Sequence, residues 1–336
     1  MHLTGLFLIA LGGVMEGLFA LPMRFAPRWS WENFWGAGSL MALLLVPWPL
    51  ALLTVPHLGS VYASADPLAL VLAVVFGVGW GCGGIFFGLG VAYLGLSLGT
   101  SIIMGLVAIG GSVVPLVLAH NAQISTQGRA GLLTGIGLMV IGLTICARAG
   151  NLKHREPGEL TFPRKFGLGL TYCLAAGVLS ALVNFALVFG APIAQPAIAS
   201  GVDPATANNA VWAIVFTVNY VVNIGYCLFR AARSGSLGKF QTESTLRYWS
   251  LALVMGVLWA GGIVAYGRGA SLEGPLGPVF GFPIMLITSI LTGNVAGALC
   301  GEWKDQPTPA KAAMLWGIAV MVLAVMTLGY ANYRTQ

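Results

Sequence analysis

The chain has 336 residues, of which 57% are hydrophobic and only 8% are charged, and its mean hydropathy is +0.87. These charges are too few to cover the surface of a soluble protein of this length, so the composition excludes a soluble globular domain. The net charge of +6 comes from basic residues in short segments between apolar runs, which argues against a nucleic-acid-binding protein.

Ten apolar runs are long enough to cross a hydrocarbon core, which needs roughly 20 residues per helix. The runs are continuous and do not alternate with polar residues, so they predict helices instead of barrel strands. They cover residues 3–22, 34–55, 67–92, 96–119, 129–148, 166–190, 207–229, 248–268, 275–301 and 310–333. The predicted fold class is therefore an all-α integral membrane protein with ten transmembrane helices.

The spans divide into two halves of five, residues 1–150 and 166–336, joined by a basic cytoplasmic linker over residues 151–165. Two weak internal similarities support this division. Gly83–Gly99 matches Gly261–Gly277 at seven positions, and five residues of span 1 match five of span 6, so that Glu16 aligns with Ser180. Because five is odd, the second half lies upside down relative to the first. This is the inverted-repeat plan of many secondary transporters, which bind their substrate between the halves.

The distribution of basic residues predicts the orientation. The loops after spans 1, 5, 7 and 9 carry thirteen lysines and arginines, and the opposite side carries three, Arg129, Arg268 and Arg334. Positive residues are retained on the cytoplasmic side, so both termini are expected outside, in the periplasm of a Gram-negative cell. Trp29, Trp35 and Tyr248 fall at predicted span ends, where amphipathic rings prefer the membrane interface.

Glu16 is the acidic residue well inside a predicted span, about 5 Å from its centre at 1.5 Å per residue. Charging a carboxyl group at that depth is costly unless the group is paired, protonated or facing water. Glu16 is therefore a candidate proton carrier, and the alternative is a protonated structural residue that bonds a neighbouring backbone or serine. Its counterpart Ser180 lies on a polar face of span 6 together with Asn184.

Span 7 carries a second polar and aromatic face that includes Asn219 and Asn223. Buried amides in membrane helices either join helices or line a polar cavity, and both alternatives remain open. Amides beside aromatic rings suit a neutral polyol, although this combination does not single out sugars. Arg268 either pairs with Glu273, extends to the headgroups, or contacts substrate at the repeat junction, and Asn294 is similarly ambiguous.

The residues present no nucleophile motif, metal-ligand set or pair of carboxylates within the membrane, so neither an enzyme nor a cofactor is expected. The five cysteines lie inside predicted spans without metal-like spacing and are interpreted as small packing residues. The many glycines four residues apart, as in Gly77, Gly81 and Gly88, predict close contacts between helices.

Seven short stretches occur in an order and spacing that is found in a known transporter family. They are Trp29-Ser30-Trp31-Glu32, Trp80-Gly81 to Gly88-Leu89, Tyr93-Leu94-Gly95 with Ser97 and Gly99, Arg148-Ala149-Gly150, Gly201-Val202-Asp203-Pro204, Asn223 with Gly225, Cys227 and Arg230, and Glu302-Trp303. Together they resemble the L-rhamnose–proton symporter family of the drug/metabolite transporter superfamily. The resemblance implies ten helices in two inverted five-helix halves, a central cavity formed by the first four helices of each half, and peripheral spans 5 and 10. It also implies uptake of a deoxy sugar together with a proton.

The sequence thus predicts a secondary transporter of the bacterial inner membrane that imports L-rhamnose or a related neutral sugar with a proton by alternating access. Glu16 is the expected proton-coupling residue. The expected substrate-binding residues are Trp80, Phe87, Ser180, Asn184, Asn219, Asn223, Tyr266, Arg268 and Asn294. The alternatives are an exporter of amino acids or lipophilic compounds from the same superfamily and a membrane receptor that binds sugar without transporting it.

Overall fold

A computed structural model describes residues 3–94, 99, 102–111, 126–152, 166–241, 245–301 and 303–335. Throughout these residues the regular structure is helical, and nine helical segments of the described residues are long and apolar enough to cross a membrane, two of which, Leu3–Phe25 and Trp31–Thr54, include a 3₁₀ or π turn. Their apolar side chains are widely exposed, as in Leu3, Leu53 and Leu299, which suits a surrounding of lipid. The prediction of an all-α integral membrane protein is confirmed.

The first half begins with α1, which continues into a short 3₁₀ turn where Pro22 fills the first turn. The second predicted span is divided by a π-helical turn before Pro47. The helices are α1 (Leu3–Leu18), the 3₁₀ turn (Leu21–Phe25), α2 (Trp31–Leu40), the π turn (Met41–Leu45), α3 (Pro47–Thr54), α4 (Leu58–Ser64), α5 (Pro67–Leu94), α6 (Ile102–Gly111) and α7 (Thr126–Leu152). Predicted span 4 is described over Gly99 and α6, and its remaining residues lie outside the described ranges, as do residues 95–98.

The second half contains five long helices with short turns between them. They are α8 (Phe166–Ala199), α9 (Pro204–Ala207), α10 (Asn209–Ser234), a 3₁₀ turn (Leu237–Phe240), α11 (Thr245–Leu272), a 3₁₀ turn (Gly274–Leu276), α12 (Gly277–Leu299) and α13 (Thr308–Thr335). Helix α10 ends at Gly235, whose φ of 68° lies in the left-handed region that glycine tolerates.

Three predicted boundaries were wrong. Helix α8 continues to Ala199 instead of ending at residue 190, although it contains Pro192 and Pro196. Proline is tolerated in membrane helices because neighbouring groups satisfy the freed carbonyl groups. The loop predicted after span 2 contains α4, and the connector predicted over 230–247 is shortened by the extension of α10 and α11. Residues 153–165 of the predicted linker lie outside the described part of the chain.

Helix α1 packs between α11 and α12, and α5 packs along α8. Small residues allow both contacts. A Cβ atom on Gly83 of α5 would lie 2.9 Å from the backbone nitrogen of Ser180, and one on Gly262 of α11 would lie 3.1 Å from Cγ of Glu16. Glu16 and Ser180 are aligned by the internal similarity, and the two glycines lie within one residue of aligned positions, since Gly83 aligns with Gly261. Each half therefore places its first span against the third span of the other half.

Helices α7 and α13, the predicted spans 5 and 10, pack mainly against each other and contact the remaining described helices chiefly through α12. Glycines on α7 again permit the contact. A Cβ atom on Gly142 would lie 2.6 Å from Cγ of Met321, and one on Gly131 would lie 2.5 Å from Cβ of Ala331. This pair of helices stands beside the core that the other spans form.

Trp29, which the sequence places at a span end, lies in a buried aromatic cluster. Its ring makes edge contacts with Phe34, Phe240, Tyr248 and Trp249 at centroid distances of 5.4–5.9 Å. Trp29 precedes α2 and Phe34 lies in its first turns, Phe240 ends the turn after α10, and Tyr248 and Trp249 lie at the start of α11. The aromatic cluster therefore joins the end of span 1 to the connector between spans 7 and 8.

Candidate functional site

Helix α5 has an exposed apolar face and a different face on the opposite side. Val71, Val75 and Val78 are exposed along one face, which suits contact with lipid. Since successive residues of an α-helix are about 100° apart, Trp80 and Gly84 lie on the face roughly opposite these valines. Gly84 is exposed, and a Cβ atom at this position would meet no other atom of the described residues within 4 Å. Among the residues that the structure describes, the space beside Trp80 is consequently open.

Neighbouring glycines of α5 fix the walls of this opening. Gly79 and Gly83 pack on α8, while Gly77 and Gly81 pack on α10. The backbone of Gly84 faces the space between α8 and α10. Phe87 shares its face and is half-buried, so the expected pair Trp80 and Phe87 borders the same opening.

Aromatic rings from three helices meet beside Gly84. Trp80 of α5 stacks on Trp259 of α11, with ring centroids 5.5 Å apart and an interplanar angle of 23°. Phe216 of α10 contacts Trp80 at 5.9 Å and Trp259 at 5.2 Å. Trp80, Trp259 and Phe216 together are called the tryptophan platform below. Flat rings of this kind pack well against the C–H face of a small ring-shaped solute.

Glu16 lies in the last turn of α1, with its side chain against Gly262 of α11. Gly262 is less than one helical turn from Trp259, so the carboxyl group and the tryptophan platform are close to the same depth. Atom Oε1 of Glu16 is buried and has no hydrogen-bond partner among the described residues. A buried carboxyl oxygen without a partner is costly, which distinguishes Glu16 from a structurally satisfied residue.

Tyr266 and Asn184 are joined by a buried hydrogen bond, in which the Tyr266 hydroxyl donates to Oδ1 of Asn184 at 2.8 Å. Nδ2 of Asn184 donates to the backbone carbonyl of Gly111 in α6. The Tyr266 ring also contacts Phe282 of α12 at 5.8 Å. These contacts tie together α6, α8, α11 and α12, so the two predicted substrate residues hold one another in position.

Asn219 and Asn223 of α10 are both buried. Nδ2 of Asn223 donates to Oδ1 of Asn219 at 2.6 Å, and Oδ1 of Asn223 accepts a hydrogen bond from Nε1 of Trp35 at 2.9 Å. Asn219 lies on the same face of α10 as Phe216, one turn away. The amide pair is therefore next to the tryptophan platform.

The remaining expected residues are more scattered. Ser180 is half-buried against Gly83, and Asn294 is half-buried on α12. Arg268 is exposed on α11, whereas Glu273 is buried. Of the three alternatives for Arg268, the exposed position agrees with a side chain that extends to the headgroups.

Sequence reasoning missed a buried polar cluster where span 2 meets the end of span 7. The Glu32 carboxylate is buried and accepts hydrogen bonds from the hydroxyls of Ser234 at 2.6 Å and Ser236 at 2.7 Å. Nδ2 of Asn33 donates to the Ser236 carbonyl at 2.9 Å. Glu32 falls in a predicted loop, and no local pattern indicates that residues about 200 positions later would enclose it.

An open cavity of about 610 Å³ lies at the other ends of these helices, between the α3–α4 connection and the α8–α9 connection. Hydroxyl groups, a carboxylate and an imidazole line it, from Thr54, His57, Ser60, Ser200, Asp203 and Thr206. Within the described part of the chain, no three side chains of His, Cys, Asp or Glu are grouped so as to hold a metal ion.

A model of the L-rhamnose-proton symport protein family matches residues 2–332. Relatives named L-rhamnose-proton symporter are similar over almost the whole chain. That of Citrobacter koseri is 26% identical over 332 residues, covering 97% of this chain and 96% of the relative. That of Shigella dysenteriae serotype 1 is 27% identical over 337 residues, covering 98% of both, and that of Salmonella paratyphi B is 27% identical over 332 residues, covering 97% and 96%. With a match of this extent, the chain belongs to the L-rhamnose-proton symport protein family.

Proposed function

We propose that this protein is a secondary transporter that imports L-rhamnose, or a closely related neutral sugar, together with a proton. The names of its relatives support both the sugar and the proton. The observation that carries the proposal is the buried, unpartnered Oε1 of Glu16 close to the depth of the tryptophan platform. A proton site and an aromatic surface next to an opening are the two elements that coupled sugar uptake requires.

The sugar binds beside the tryptophan platform, with its C–H face on the Trp80 ring and its hydroxyls toward Asn219. Phe87 borders the same opening. Asn184, Asn223 and Tyr266 shape the site from their mutual hydrogen bonds. Ser180 and Asn294 belong to its periphery, and Arg268 lies outside it, toward the headgroups.

The transport cycle is alternating access. Glu16 takes up a proton from the outside, the sugar binds, and both become accessible to the cytoplasm, where the proton leaves. A ligand drives such a change only by binding the two states unequally. Protonation removes the cost of a charge next to the close α1–α11 contact at Gly262, so it favours the state in which that contact is tight.

The proposal includes ten spans in two inverted halves, residues 1–150 and 166–336, in the bacterial inner membrane with both termini in the periplasm. The paired contacts of Gly83 with Ser180 and of Gly262 with Glu16 support the inverted arrangement. The peripheral packing of α7 on α13 supports the assignment of these two helices as spans 5 and 10. The protein needs no cofactor and catalyses no chemical conversion of its substrate.

The test is uptake and exchange of labelled L-rhamnose by purified protein in proteoliposomes. Wild-type protein should exchange labelled for unlabelled sugar and accumulate it when the outside is more acidic. Glu16→Gln should retain exchange, which needs no net proton movement, and should lose accumulation. If the variant accumulates sugar as wild type does, Glu16 is not the proton site.

The matched control is Glu32→Gln. Glu32 is also a buried acidic residue, but two serine hydroxyls satisfy its carboxylate. Its replacement should leave the dependence of accumulation on the proton gradient unchanged.

An exporter of lipophilic compounds is the second candidate, because the tryptophan platform itself is apolar. The amide group of Asn219 next to it favours a hydroxylated solute. Failure of wild-type protein to exchange L-rhamnose, together with exchange of an apolar cation, would favour the exporter. Binding of L-rhamnose without exchange would instead indicate a receptor.

A further inference from the structure

Trp35, Asn223 and Asn219 form a hydrogen-bonded series that crosses from α2 to α10. The series begins at Nε1 of Trp35, which donates to Oδ1 of Asn223 at 2.9 Å. It continues from Nδ2 of Asn223, which donates to Oδ1 of Asn219 at 2.6 Å and to the Asn219 backbone carbonyl at 3.1 Å. Both polar ends of the Asn223 amide are thereby occupied.

The indole of Trp35 fixes the direction of this series. An indole N–H can only donate, whereas an amide side chain can present either its oxygen or its nitrogen. Asn223 must therefore turn its oxygen to Trp35 and its nitrogen to Asn219. Asn219 must in turn present its oxygen, which leaves its NH₂ group pointing away from the series.

The NH₂ group of Asn219 has no hydrogen-bond partner among the described residues, and it is not one of the fully enclosed polar atoms without a partner. Although the residue is only 4% exposed, this nitrogen keeps contact with open space. The residue lies between Phe216, which contacts Trp80, and Val222, which packs on Gly81 of α5. Its free donor is therefore next to the opening beside Trp80.

We propose that Trp35 is a positioning residue that holds the Asn219 amide with its NH₂ group toward the substrate, through Asn223 as the intermediate. The ligand group that this donor recognises is a hydrogen-bond acceptor, namely a hydroxyl or ring oxygen of the sugar. This inference rests on the proposed function, since it assigns a specificity role within that same site. It also divides the two asparagines, because Asn219 contacts the sugar and Asn223 does not.

Removing the indole N–H removes the constraint that orients the amides of Asn223 and Asn219. In Trp35→Phe, Asn223 can rotate its amide, and Asn219 can then present its oxygen instead of its nitrogen. The aromatic ring is retained, so the stacking on Trp31 at 5.4 Å and the edge contact with Phe19 at 6.3 Å can persist. The expected effect is the loss of one neutral hydrogen bond to the sugar, roughly a 3- to 10-fold rise in KM.

The chain offers a closely matched control in Trp48→Phe. Nε1 of Trp48 donates to Oγ1 of Thr217 at 2.7 Å, so this variant also removes an indole hydrogen bond between span 2 and α10. Thr217 is not part of the series that ends at Asn219. Both variants should lose similar thermal stability, and only Trp35→Phe should change the affinity for sugar.

The experiment measures the concentration dependence of L-rhamnose exchange in proteoliposomes for wild type, both phenylalanine variants, Asn219→Ala and the double variant Trp35→Phe/Asn219→Ala. We expect Trp35→Phe to raise KM with little change in the maximal rate. We also expect the phenylalanine to have no further effect on KM once Asn219 is alanine, because residues that act through one another are not additive.

Each outcome is decisive. Equal KM values for Trp35→Phe and Trp48→Phe, with wild type active, would overturn the positioning role and leave the sugar transport intact. Additive effects in the double variant would do the same. Absence of L-rhamnose exchange by wild-type protein would overturn the proposed function, and the sugar-positioning role of Trp35 with it.

Discussion

Replacing Gly83 with alanine should destabilise the protein, whereas the same replacement at the adjacent Gly84 should not. A Cβ atom at position 83 would lie 2.9 Å from the backbone nitrogen of Ser180 and 3.1 Å from the Leu179 carbonyl carbon. These are backbone atoms, so α5 and α8 would have to move apart. At position 84 a Cβ atom would meet no atom of another helix within 4 Å in the described part of the chain.

The magnitude follows from two opposing terms. Overpacking costs about 1–3 kcal/mol, while alanine in place of glycine favours a helix by up to ~1 kcal/mol. Gly83→Ala should therefore lose up to ~2 kcal/mol, and Gly84→Ala should be neutral or slightly stabilising. The measurement is thermal unfolding of the purified variants in detergent, where Gly83→Ala should melt a few degrees below wild type.

A larger side chain at the same place tests whether the opening is the path of the substrate. Gly84→Leu should fold, since the space is open, and should reduce L-rhamnose exchange at least 10-fold because the side chain occupies the sugar position beside Trp80. A Gly84→Leu variant that exchanges sugar normally would refute this assignment of the site. A Gly83→Ala variant that is as stable as Gly84→Ala would refute the close α5–α8 approach.

Three further predictions concern hydrogen-bonded polar groups of the fold. Tyr266→Phe should lower the unfolding temperature, because it leaves Oδ1 of Asn184 without its donor at a cost of about 1–3 kcal/mol; an unchanged melting curve would contradict a buried bond. Glu32→Ala should destabilise by a similar amount, since Ser234 and Ser236 lose their acceptor, and Ser250→Ala on the exposed face of α11 is a control that should have little effect. Burial raises the pKa of the Tyr62 hydroxyl, which donates to the Ala210 carbonyl. The unfolded chain then ionises first, so stability should be full below pH ~10 and decline as the pH rises above it; a decline of equal size in Tyr62→Phe would show that other groups cause it.

The class of the protein and its closest helix contacts follow from local sequence features. Continuous apolar runs predict membrane helices by length alone, and the glycines of α5 predict a close approach because they recur on particular faces. These features can be predicted from the sequence because each depends on residues within one or two helical turns of one another.

The polar contacts of the site depend on residues far apart in the chain, and the sequence does not reveal them. Trp35 and Asn223 are 188 positions apart, and nothing near Trp35 indicates that its indole would bond an amide instead of lying at the membrane interface. Trp29 was assigned to the interface for the same reason, yet four rings from three segments enclose it. In both cases the presence of a tryptophan suggested where the ring would lie, but the sequence did not indicate which residues would contact it.

The π turn at Met41–Leu45 has a mechanical consequence for span 2. Before the turn, Trp35 donates a hydrogen bond to Asn223, and after the turn, Trp48 donates one to Thr217, so each part of the span is joined to α10 by one indole. A π turn widens the helix and interrupts the regular pattern of backbone bonds between the two parts. Either hydrogen bond to α10 can then break without straining the other, which allows span 2 to bend at the π turn.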